Sequence, residues 1–445
     1  MNRRRTAMGV AFLCLSLNLC AQPQTQQGSD DGFPPQPTDF INERLPKWVQ
    51  LVGSFRLRYE DQDGIGLTSE SDTHLLTQLW VGVKVQPTAW LSFFAEAQDS
   101  EMFYNGVLAG KSPYKDAWDL HQAWVQIGNA TTPVAVEVGR QELNFGAQRL
   151  IGAAPWLNAP RVFDAALTTF RFLDVQVDAF ASSVVNSVLG QPDEIKPGNP
   201  LYGLYGTLAH LIPNSSLEPY FFWRLAPTGY GAADADGVKG HLDEKTFGFR
   251  WSGKLPSHFD YDVEMARQYG NIGADGISAW AGHWNAGRTF DVALKPRVFV
   301  ESNYASGNSN PRGTTVGTFD QLYPSGHDKF GETDQVGWRN IIDFKTGAEL
   351  NLTKKLAFVG SYFNFWLANS HDGLYAATGA VVAKSLTGAA GTHVGQEVDA
   401  EALYKWNKAV QFGLGYGHLF TGEFLDKTTP GKSYNYPYVM MTYKF

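Results

Sequence analysis

The sequence predicts an all-β fold, a transmembrane antiparallel β-barrel of the bacterial outer membrane with about eighteen strands, short periplasmic turns and long extracellular loops. Three observations carry that prediction. The closing stretch Tyr436 to Phe445 alternates with period two, placing Val439, Met441, Tyr443 and Phe445 on one wholly apolar face and Tyr438, Met440, Thr442 and Lys444 on the other. The connections between alternating segments run long, then short, along the chain. Finally, the chain is aromatic-rich (14%) and poor in charge (18%) at a mean hydropathy of −0.25. An alternating wall, which hides half its residues from lipid, keeps hydropathy that modest, and beyond the leader no apolar run is long enough for a helical span.

Met1 to Ala21 has Arg3, Arg4 and Arg5, an apolar run from Ala7 to Leu19 and then Ala21, the layout of a cleaved secretory signal peptide. Both cysteines, Cys14 and Cys20, lie in it, so the exported chain has no thiol chemistry, disulfide or cysteine-ligated zinc. Residues 22–46, rich in Gln, Pro, Asp and Gly, read as an unstructured periplasmic lead-in, and residues 47–445 as the barrel. Val49, Leu51, Phe55, Leu57 and Tyr59 alternate with polar residues in the first strand, and Leu79, Val81, Val83 and Val85 in the second. Asp61 to Thr73 reads as a long polar loop between them. Further long links fall at Ser100–Asp116, Asn144–Pro160, Asn186–Pro200, Pro227–Asp243, Gly307–Asp334, Asn369–Val394 and Thr421–Ser433. Short ones fall between them, at 86–89, 128–133, 173–174, 213–217, 254–258, 294–296, 351–355 and 407–408. Each strand is expected to hold about 9–11 residues, the length a tilted crossing needs. A barrel with both ends in the periplasm must show this order of connections.

Phe55-Arg56-Leu57-Arg58-Tyr59-Glu60, Phe94 to Ser100, Asp119 to Trp124 and Val138 to Leu143 resemble the first sequence blocks of the alginate-export outer-membrane family. Gln148 to Gly152, Trp156 to Asp164, Tyr304 to Gly307 and Phe319 to His327 are similar to later blocks, in the family's order. The resemblance runs from about Ser54 to the end of the chain. It implies a monomeric barrel that passes anionic polysaccharide or other solutes outward, and it guides fold better than cargo.

Charge on the lipid face costs roughly 2–4 kcal/mol at mid-membrane, so the charged face of each strand is the lumen face. The candidate pore-lining and substrate-contact residues are Arg56, Arg58, Glu60, Glu96, Arg140, Arg149, Arg161, Arg250, Arg297, Glu301, Arg339, Asp343 and Lys345. Gly139 interrupts the alternation and leaves the facing of Arg140, Arg149 and Arg161 open. Convergence of Arg56, Arg58, Arg297 and Arg339 on one constriction predicts an anion-preferring pore. Single pairing of the basic residues with Glu60, Glu301 and Asp343 predicts a general diffusion channel instead. The assembly signal is Val439, Met441, Tyr443 and Phe445. Gly413, Gly415 and Gly417 read as small lumen-side residues, and closure is expected from the outer loops at 307–334 and 369–394.

No hydrolase, phosphate-loop or histidine-pair motif occurs, so no catalytic residue, metal or cofactor is expected; the remaining alternative is an outer-membrane hydrolase, whose Ser and His need not be sequence neighbours. The charge balance without the three leader arginines is 33 − 44 = −11, which argues against nucleic acid. The expected partners are outer-membrane lipid and lipopolysaccharide, the outer-membrane assembly machinery, and anionic polysaccharide or small anionic solutes.

Overall fold

The computed structural model describes residues 37–104, 106–108, 114–209, 213–228, 233, 237–385 and 387–445. The expected signal peptide, Met1 to Ala21, and residues 22–36 of the lead-in lie outside the described residues. A short helix α1 (Pro37–Asn42) precedes the first strand, and the Asn42 side chain is held by both polar groups of the Leu51 backbone at 2.7 and 2.9 Å. The end of the lead-in is therefore structured, because one Asn side chain ties it to the edge of the wall.

Strands follow in the order β1 (Val49–Ile65), β2 (Glu70–Thr88), β3 (Leu91–Phe103), β4 (Asp116–Ile127), β5 (Val134–Gln141), β6 (Phe163–Phe172), β7 (Val175–Asn186), β8 (Glu194–Ala209), β9 (Ser215–Ala226), β10 (Leu242–Leu255), β11 (Phe259–Ile272), β12 (Asp275–Thr289), β13 (Arg297–Ala305), β14 (Thr315–Val316), β15 (Ile341–Asn351), β16 (Leu356–Leu367), β17 (Gly373–Tyr375), β18 (Val381–Lys384), β19 (His393–Lys405), β20 (Val410–Thr421) and β21 (Tyr434–Lys444). The main sheet has 19 strands; one is the two-residue β14, laid parallel on β12 inside a loop, which leaves eighteen in the wall. Each wall strand pairs antiparallel with its neighbours, and β1 pairs with β21 to close the barrel. At the seam Phe445 and Gly53 exchange backbone hydrogen bonds at 2.7 and 2.9 Å.

The predicted facing holds along the strands. Val83, Leu414 and Val439 are 39%, 56% and 48% exposed on the outside, while Tyr438 and Met440 are buried inside. Trp90, Phe172 and Trp406 stand exposed near the short-turn rim, and Tyr269, Trp280 and Phe420 near the long-loop rim, the two aromatic girdles of a membrane barrel. Gly413, Gly415 and Gly417 do lie on the lumen side. A side chain at Gly415 would put its Cβ 2.2 Å from the Tyr438 ring, so glycine there lets the tyrosine lie flat on the wall.

Three expectations need correction. Asp61 to Thr73 is not a long loop: β1 and β2 continue to Ile65 and from Glu70 and turn in four residues, 66–69. Strands above the membrane are wet on both faces, so polar composition there does not end them. The wall strands run from 8 to 19 residues rather than a uniform crossing length. The outer link missing from the sequence reading between the short links at 254–258 and 294–296 is a tight turn at residues 273–274, between β11 and β12.

Candidate channel constriction

β5 is only 8 residues long. At Gly139 the backbone takes φ +135°, and a Cβ there would lie 2.1 Å from the Ala123 carbonyl, so only glycine fits the kink that precedes the departure from the wall. Residues 142–162 then cross the lumen before rejoining the wall at Phe163. On one side Arg56 donates to the carbonyls of Pro155 (2.7 Å), Trp156 (3.3 Å) and Leu157 (2.8 Å), and Arg58 donates to that of Trp156 (2.7 Å). Gln78 and Ser100 add bonds to the Asn158 carbonyl at 2.7 and 2.5 Å. On the opposite side Arg149 donates to Glu301 at 2.9 Å and lies 3.3 Å from His283, on β13 and β12. A segment bound to β1, β2 and β3 at one end and to β12 and β13 at the other spans the barrel.

A second outer loop, residues 306–340, folds in to meet it. Asp320 anchors it to Arg224 on β9 and, through backbone bonds at 2.7 Å, to Gln268 on β11. Thr333 anchors it to Glu397 on β19 at 2.7 and 2.9 Å. The two loops join by main chain: Gly152 to Tyr323 (2.9 Å), Tyr323 to Leu150 (2.8 Å) and Ser325 to Gln148 (2.9 Å). Arg161 clamps the joint by donating to the carbonyls of Gly152 (2.8 Å) and Pro324 (3.0 Å). Burial lowers its guanidinium to about 10, still protonated at neutral pH. The loop at 368–392 reaches the second loop through Ala377 and Asp334, 3.0 Å apart.

Trp156 is the centre of the joint. His327 stacks on its ring at 3.9 Å, the Arg58 guanidinium lies over it at 3.9 Å, and Tyr438 meets it edge-on at 4.8 Å. Burial disfavours the imidazolium of His327, but Asp334 at 3.0 Å and Glu332 at 3.2 Å outweigh that and hold it protonated well above the usual histidine range. The indole is thus packed between two cations, an arrangement its negative π faces favour.

The structure brings Arg56, Arg58 and Glu60 together, with Arg58 paired to Glu60. Arg250 is held between Glu218 (3.1 Å) and Asp262, and Arg297 between Asp260 (2.6 Å) and Glu349 (2.6 Å), directly opposite it in the sheet. Arg339 is in the second loop rather than on a strand, with its guanidinium 4.4 Å above Tyr375. Arg56 and Arg58 thus meet at the Trp156 carbonyl, whereas Arg297 and Arg339 have other partners. Glu96 holds His121 at 2.7 Å, Asp343 accepts from Asn303 at 3.1 Å, and Lys345 donates to the Asp328 carbonyl at 3.3 Å. Arg140, whose facing Gly139 left open, pairs with Asp164 at 2.9 Å. Trp156, Tyr323 and His327 stood inside the family blocks, but neither their position nor their spacing marks them as one contact.

A closed eighteen-stranded barrel crossed by two of its own outer loops defines an outer-membrane channel. The sequence model for alginate export matches residues 47–439, and the chain belongs to that family. No curated protein sequence matches it. Solved structures share the fold at low identity: Pseudomonas aeruginosa OpdK, determined with vanillate, at 8% identity and TM-score 0.61, covering 90% of this chain and 99% of that one; Acinetobacter baumannii OccAB2 at 11% and 0.57, covering 89% and 98%; and Pseudomonas aeruginosa OccK3 at 11% and 0.58, covering 92% and 99%.

Proposed function

We propose that the channel is selective for carboxylate-bearing saccharides of the uronate type, which thread past the joint between the two inward loops. The observation that carries this reading is Arg149. Its side chain is 6% exposed at the loop joint, and only Nη2 is bonded; Nε and Nη1 have no hydrogen-bond partner among the described residues. Each of these two N–H groups is a charge-assisted donor that a single carboxylate oxygen can accept. Phe330 and Trp338, buried with their rings 5.8 and 5.9 Å from the guanidinium, enclose it on its apolar side. Met1 to Ala21 serves as the cleaved signal peptide, and the monomeric barrel is inserted by the outer-membrane assembly machinery among lipid and lipopolysaccharide.

A second reading, a weakly selective diffusion channel, is favoured by the carboxylates that occupy Arg250 and Arg297. Planar-bilayer recordings of the refolded protein separate the two. Selective passage predicts anion preference in a salt gradient and current block by oligouronates that weakens in Arg149→Gln. Cation preference without oligouronate block overturns it and leaves the diffusion channel.

A further inference from the structure

The wall has a notch. β5 pairs only with residues 123–127 of β4, because the chain leaves the wall after Gln141 and returns at Phe163. The outer part of β4, from Asp116 to Gln122, therefore has β3 on one side and no strand on the other. The turn between β7 and β8, residues 187–193, lies against this free edge. The Asp193 N–H donates to Asp119 at 2.6 Å. Arg140 at the end of β5 donates to the carbonyls of Leu120 (3.3 Å) and Asp193 (3.2 Å).

We propose that Asp116, Asp119 and Asp193 bind a divalent cation of the calcium class, which bridges the outer turn to the free edge of β4 and closes the notch. One carboxylate oxygen from each of the three lies within 4.8 Å of the others. Ca²⁺ takes oxygen ligands at about 2.3–2.6 Å, so oxygens on opposite sides of the ion stand roughly that far apart. A second observation points to a ligand independently. Gln98 is 3% exposed, its amide nitrogen is fixed on Asp116, and its Oε1 is buried with no hydrogen-bond partner among the described residues. A carboxamide oxygen held beside three carboxylates is a neutral donor of the kind hard cations use.

The local charge balance asks for a cation. Asp119 and Asp193 lie near Arg140, whose Nε is already on Asp164. Three carboxylate oxygens within 4.8 Å of one another repel, and a divalent ion between them turns that repulsion into attraction. Mg²⁺ fits less well, since it keeps several waters and demands octahedral geometry, whereas calcium accepts an irregular set of protein oxygens.

Terbium luminescence on the full-length protein, stripped with EDTA in detergent and excited through Trp118, tests the site. The expected result is a saturable signal displaced by Ca²⁺ at lower concentration than by Mg²⁺. In Asp119→Asn and Asp193→Asn, with heat-modifiable gel mobility unchanged, affinity should fall about tenfold or more, while Glu70→Gln keeps it. Thermal unfolding of the unmodified protein should shift upward with Ca²⁺ and return with EDTA. Absence of a saturable signal, terbium that Ca²⁺ does not displace, or equal affinity in both Asn variants overturns the proposal. The unmodified protein alone decides the point should a variant fail to fold.

Discussion

The outer wall and the filled lumen of this barrel are specified in different ways. On the wall each residue's place follows from its immediate neighbours: alternate residues face lipid, and each strand pairs with the next in sequence, except at the seam. In the lumen the contacts that matter are distant. Arg58 reaches Trp156 over 98 residues, and Arg149 reaches Glu301 over 152. A wall residue is replaceable by another of like polarity, whereas a lumen residue is defined by one partner. Wall substitutions should therefore act on whether the barrel exists, and lumen substitutions on how it conducts.

The strongest test of the wall is its last residue. Deleting Phe445 removes the backbone pair with Gly53 and the ring packed on it, and most of the heat-modifiable species should disappear from outer-membrane fractions while export to the periplasm continues. Undiminished assembly would show that the seam does not depend on this pair. Next in size, Leu414→Arg should cost about 2–4 kcal/mol if the site is at mid-membrane, against under about 1 for Gln411→Arg on the wet face. Equal unfolding midpoints in urea for the two would invert the assigned faces.

Lumen substitutions should show mainly in conduction rather than in whether the barrel assembles. Replacing Arg56 and Arg58 together by Gln removes four donations to the inward loop, and single-channel traces should become noisier with a higher mean conductance. Traces identical to the unmodified protein would show that residues 155–157 are held by other contacts.

The smallest effect concerns pH. The folded-state pKa of His327 lies above its unfolded value near 6.5, so its contribution to seating the second loop is complete below that value. It is lost as pH rises through the folded pKa. Alkaline titration should increase current noise in the unmodified protein and not in His327→Gln. Noise that rises on acidification instead would reverse the sign assigned to this histidine.

Most of the wall was legible in the sequence because a period of two is a local signal, and the family blocks reinforced it. What failed was local too. Asp61, Gln62, Asp63 and Asp72 continue their strands beyond the membrane, where alternation of polarity has no work to do. The 273–274 turn was hidden because a two-residue outer turn violates the expected loop length. The constriction was legible only as separate blocks. Nothing in the spacing of Trp156 and His327 shows that their rings stack, since their approach depends on two loops entering one enclosed space. Arg149 was a candidate from sequence, but its orphaned donors follow from the wall opposite it. Asp116, Asp119 and Asp193 were not candidates from sequence, because the notch that joins them exists only after the chain has dived inward.

The two strands that close the barrel are also strands that grip Trp156. Arg58 on β1 lies over its ring and Tyr438 on β21 meets its edge, and Glu60 stands opposite Tyr438 across the seam. Sealing the cylinder and seating the first inward loop are consequently one cooperative event, in which each half is a template for the other. A chain that seals early with the loop outside leaves its seam without this key. Finished and unfinished molecules then differ in the strength of a single join, so the state of the interior is written into the seam.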